Sequence, residues 1–95
     1  MYKEDTKQYI NVVERYRVLR ENDTMAAYKL MKDSLQVFNR WSEIREEITK
    51  NLRRGESSEL KKRLEDKLRV LIEIHTDSRI IFSRSKKEMD FVKED

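Results

Sequence analysis

Residues 64–92 read LEDKLRVLIEIHTDSRIIFSRSKKEMDFV, and the fold turns on whether this stretch is one helix or a strand hairpin. Leu64, Leu68, Leu71, His75, Ser78, Phe82, Ser85, Met89 and Val92 alternate in steps of four and three. That is the spacing of a helix seam held for about four heptads. Its centre is polar, because His75, Ser78 and Ser85 fall where apolar knobs belong. Either the seam leaves its partner helix there and faces something else, or the chain breaks at Thr76-Asp77-Ser78. A break would allow a hairpin, with Val70, Ile72 and Ile74 alternating before it and Ile80, Ile81 and Phe82 following. The seam keeps phase across these residues and no glycine or proline lies among them, so the pattern predicts continuous helix.

Outward from this stretch the same helical reading holds. The 95 residues contain no proline and one glycine, Gly55, while 43% are charged. Without those punctuating residues little interrupts helical periodicity. The segment before it, about 24–54, carries the stripe Tyr28, Met31, Leu35, Phe38, Trp41, Ile44, Ile48 and Leu52, again near coiled-coil spacing. Gly55-Glu56-Ser57-Ser58 separates the two. Gly55 suits a helix C-cap and Ser57 or Ser58 the next N-cap, while Arg53, Arg54 and Glu59 complement the helix dipoles. The first segment, about 3–21, repeats Tyr2, Tyr9 and Tyr16 every seven residues with Val12, Val13 and Leu19 beside them. Three tyrosines on one stripe can stack bases. The favoured reading makes them core or interface anchors whose hydroxyls reach water. Asn22-Asp23-Thr24 closes this segment, with Asp or Thr capping the next.

The expected architecture is all-α: one domain over residues 1–95, a three-helix up-down-up bundle with helices at about 3–21, 24–54 and 58–90. Short turns make neighbours antiparallel. Helices two and three pair along most of their length, and helix one covers about half of that hairpin. The uncovered apolar seam calls for another surface, from a second copy in a homodimer or from a larger protein subunit.

Composition narrows the function classes. Only 37% of residues are apolar, and 22 Lys+Arg stand against 19 Asp+Glu, so the net charge of +3 is a small lean toward anionic partners. The absence of cysteine excludes disulfides and thiolate metal sites and suits a reducing interior. Met1 to Ile10 lacks the apolar run of a secretory signal, and no stretch approaches the roughly 20 apolar residues of a membrane span. A cytoplasmic protein without a membrane role is expected. Abundant Lys, Arg and Glu, with glutamine only at Gln8 and Gln36, match the composition of hyperthermophile proteins and of coiled coils.

No catalytic motif is evident. His75 is the only histidine, and Glu73, two positions away, lies on another helical face, so no metal pair forms at i, i+4 spacing. There is no phosphate-cradling glycine loop and no nucleophile elbow. The expectation is a non-enzyme with no cofactor, metal or small-molecule substrate. Two basic clusters are candidate nucleic-acid contacts. One brackets the second turn and includes Arg53, Arg54, Lys61 and Lys62, with acids interspersed. The other, Arg79, Arg84, Lys86 and Lys87, has no acid between its members. Cationic helices grip phosphates without reading sequence; a solvated helix face is the competing reading. Phe38, Trp41, Phe82, Met89 and Val92 are the candidate partner interface. Phe38 and Trp41, nearly one turn apart, serve equally as interface anchors or as one turn of core.

The stretch from Phe38 to Arg84 (FNRWSEIREEI, a short loop, then LKKRLEDKLRVLIEI) resembles the helical domain of archaeal GINS subunits. It is also similar to the small helical proteins that bind archaeal B-family DNA polymerases. The resemblance covers about half the chain and rests on the texture of charged helices. It implies a non-catalytic accessory subunit of a DNA replication assembly; the expectation of non-specific DNA contact comes from the basic faces. The alternative is a stand-alone dimeric nucleic-acid-binding regulator. Both expected turns join long helices, which counts against the short recognition helix of a sequence-specific reader.

Overall fold

A computed structural model describes the backbone of residues 2–51 and 58–94, and the side chains of residues 2–51 and 59–88. The described residues form three helices, α1 (Lys3–Arg17), α2 (Thr24–Asn51) and α3 (Ser58–Glu94), and contain no strand. The molecule is a rod of 63 × 20 × 17 Å. Its 37-residue third helix would span about 55 Å by itself. Residues 70–84 are helical throughout, so the hairpin alternative is excluded. The turn at 52–57, with Arg53, Arg54, Gly55 and Ser57, lies outside the described residues, as do the side chains of Ser58, Met89 and Val92.

Helix α1 places Glu4 and Asp5 in its first turn and Arg15 and Arg17 in its last, so charges of both signs oppose the helix dipole. It stops at Arg17, four residues short of the sequence expectation. The Leu19 N–H turns back to the Tyr16 carbonyl at 3.3 Å, and Leu19 packs against the core from a loop position. A turn closed by Asp23 N–H to the Arg20 carbonyl at 3.1 Å follows. Asp23, and not Thr24, then accepts the Ala26 N–H on Oδ1 at 3.1 Å, an N-cap that contributes about 1 kcal/mol.

Long-range contacts fix the topology. Tyr28 meets Phe82 and Arg45 meets Glu65, so α2 and α3 are antiparallel. Tyr2 reaches Glu47 while Tyr16 reaches Asp77, which makes α1 antiparallel to α2 and parallel to α3. The result is up-down-up. At about 22 Å, α1 covers the middle of the hairpin and leaves both ends to α2 and α3.

The apolar core gathers Val12, Leu30, Trp41, Ile44, Leu64, Leu68, Leu71 and Ile74. Beyond Ile74 the buried seam positions of α3 are Ser78 and Ser85, and Ser34 is buried on α2. The polar centre of the seam neither breaks the helix nor leaves the partner helix. Ser34 and Ser78 are 0% exposed, and each hydroxyl donates to a carbonyl of its own helix, Met31 at 3.1 Å and Ile74 at 2.6 Å. A serine satisfied in this way acts as a small side chain and lets two helices pack closely. His75 is half-buried beside them, with Nδ1 2.8 Å from the Met31 carbonyl. Ser85 donates to the Glu21 carbonyl at 2.8 Å, tying α3 to the first loop.

Candidate partner and nucleic-acid interface

The tyrosine stripe acts as anchorage. Tyr2 donates to Glu47 at 3.1 Å, Tyr9 meets Trp41 edge-on at 6.3 Å between centroids, and Tyr16 donates a short hydrogen bond to Asp77. That bond, with burial second, pushes the Tyr16 phenol up to about 12, since the carboxylate favours the protonated donor. Lys67 lies 5.3 Å from the Tyr9 ring centre and 5.6 Å from that of Trp41, bridging α1 and α2 through cation–π contact.

The candidate partner residues are divided by this fold. Trp41 is 4% exposed and belongs to the core, so of the two readings of its aromatic turn the core one holds there. Its indole N–H is buried without a hydrogen-bond partner among the described residues. Phe38 is half-buried against the same cluster. Phe82 is half-buried but stands apart from the core cluster, packed on Tyr28 with ring centroids 5.1 Å apart. Met89 and Val92 lie on the last turns of α3. Those turns extend past Ser85, where α3 is already level with the first loop. Val18, Met25 and Ile80 are exposed apolar residues around this same end.

The basic candidates separate as well. In the first stretch of α3 the arginines are locally neutralised, Arg63 by Glu59 at 3.0 Å and Arg69 by Asp66 at 2.8 Å. Lys61 and Lys62 are exposed beside them. Arg79, Arg84, Lys86 and Lys87 are all exposed, and no ion pair among the described residues involves any of them. They do not form one face. Arg79 and Lys86 are seven apart and nearly aligned, while Arg84 is turned about 200° from Lys86. Lys86 accordingly sits over Phe82 at 5.8 Å on the α2 flank. Arg84 lines a groove on the α1 flank with Tyr16, Leu19, Glu21, Asp77 and Ile81. Sequence reasoning did not single out Tyr28 and Lys32 as site residues. The i, i+4 spacing of an aromatic and a lysine, which recurs at Phe82 and Lys86, was the available signal.

Among the described residues no group of three or more His, Asp or Glu side chains could hold a metal ion, and no helix is long and apolar enough to cross a membrane. No family model matches the chain, and no curated protein or solved structure matches it.

Proposed function

We propose that the chain is a non-catalytic helical accessory subunit that docks on a larger protein assembly through the projecting end of α3. Its exposed basic residues aid contact with DNA. The setting that fits the resemblance of residues 38–84 is DNA replication machinery such as a polymerase complex. The observation that carries the reading is the length of α3, which is helical to Glu94 although the first loop already meets it at Ser85. In the up-down-up topology no other described element lies beyond that loop. A helix end without tertiary cover is marginal in water, and a partner surface is the natural support for one carrying Met89 and Val92.

The DNA half of the proposal is tested by changing Arg79, Arg84, Lys86 and Lys87 to Ser and measuring duplex affinity across salt concentrations. The wild type loses affinity steeply as salt rises, and the variant binds more weakly with a shallower slope. Equal affinity and equal slope would make the cluster a solvated face.

A further inference from the structure

We infer that the flank of the α2–α3 hairpin away from α1 is a binding surface for single-stranded nucleic acid, built from Tyr28, Phe82, Lys32, Arg79 and Lys86. The inference rests on the nucleic-acid contact proposed above and specifies its substrate class and residues. Tyr28 and Phe82 are in contact, tilted at 41°, and neither belongs to the core cluster. Their position on the molecule follows from the α1 contacts. Arg15 of α1 pairs with Asp33, and Tyr16 pairs with Asp77. Each aromatic lies five residues from one of these acids, which is about 140° around its helix. The aromatic pair is therefore turned away from α1, leaving its open side to solvent.

Cations frame the rings. Lys32 follows Tyr28 by four residues, with Nζ 5.4 Å from the ring centre. Lys86 follows Phe82 by the same spacing, at 5.8 Å. Arg79 precedes Phe82 by three residues, and i, i+3 and i, i+4 neighbours share a helix face. All three cations are exposed, and none takes part in an ion pair among the described residues. By contrast, Arg15, Arg40, Arg45, Arg63 and Arg69 each hold a carboxylate. Lys32 and Arg79 have no acid three or four residues away on their own helices; Lys86 has Asp90.

This chemistry calls for a polyanion with accessible flat rings. Phosphates satisfy the three charges, and unpaired bases stack on the aromatic rings. A duplex offers the phosphates but keeps its base faces stacked on one another. A lysine lying over a half-buried surface ring is weakly held, so it swings to a phosphate and opens the ring face to a base.

The test uses fluorescence anisotropy with a labelled 20-nucleotide oligo(dT) and a 20-base-pair duplex. The wild type is compared with Tyr28→Leu/Phe82→Leu and with Lys32→Ser/Arg79→Ser/Lys86→Ser. The wild type is expected to prefer the single strand. The leucine pair should weaken single-strand binding about tenfold and leave duplex binding unchanged. The serine triple should reduce the salt slope for the single strand by about 2, near 0.7 per phosphate contact. Circular dichroism melts control for folding. Ultraviolet crosslinking of oligo(dT) to the wild type, mapped to Tyr28 or Phe82, decides the matter without any variant. Equal binding of both nucleic acids, with the leucine pair unaffected and crosslinks elsewhere, would overturn this inference while leaving phosphate contact intact. Binding of neither nucleic acid would overturn both readings.

Discussion

Tyr16 is the residue that ties the end of α1 to the longest helix. Its hydroxyl donates to Asp77, 61 residues away in the chain. Replacing it by Phe deletes the donor and leaves a partly solvated carboxylate, at a cost of about 1 kcal/mol near neutral pH. The pH dependence has a definite sign. With the folded phenol raised from 10.0 to about 12, the unfolded chain ionises first as pH rises. This contribution is whole below about pH 10 and lost between there and about 12. Wild-type stability, followed by denaturant unfolding, should therefore fall across that window, and Tyr16→Phe should show a smaller fall. An equal fall in both would mean that the bond to Asp77 does not form. The stripe itself was legible from the seven-residue spacing of Tyr2, Tyr9 and Tyr16. Its acceptors were not, because Glu47 and Asp77 are brought into reach only by the packing of distant helices.

The α2–α3 pairing depends on small polar side chains at its middle. Ser78 occupies a fully buried seam position, and its hydroxyl serves only its own helix. Ser78→Ala should change stability by less than about 1 kcal/mol, since no cross-helix bond is lost. Ser78→Leu should cost about 1–3 kcal/mol by forcing the helices apart. Urea unfolding midpoints at constant slope measure both, and a well-tolerated leucine would refute close approach at this level. The seam of α3 could be read from its four-three spacing through every residue in doubt. What the pattern could not convey was that serine at a knob position marks close packing, because one helix does not reveal the size of the space facing it. The end of α1 shows the same limit. Val18 to Glu21 contain no breaker, yet the chain leaves the helix there and Leu19 packs against the core from a loop position.

At the scale of the whole molecule, the three unequal helices and their up-down-up order follow from punctuation and stripe lengths, and both were visible in the sequence. The candidate surfaces were only partly visible. Linear clustering grouped Arg79, Arg84, Lys86 and Lys87, whereas about 100° of rotation per residue sends Arg84 to the α1 flank and Lys86 to the α2 flank. Trp41 looked equally suited to an interface and to the core, and three-helix packing places it inside. The proposed docking surface is therefore the end of α3, beyond the level of Ser85. The most direct measurement is sedimentation velocity of the labelled wild type and of Met89→Ala/Val92→Ala, in buffer and in nuclease-treated native extract. The account predicts that the wild type is monomeric in buffer and sediments with a larger species in extract. The variant keeps its helical content and stays monomeric in both. A wild type that is monomeric in extract, a variant that still joins the larger species, or a dimer formed by the purified chain alone would contradict it.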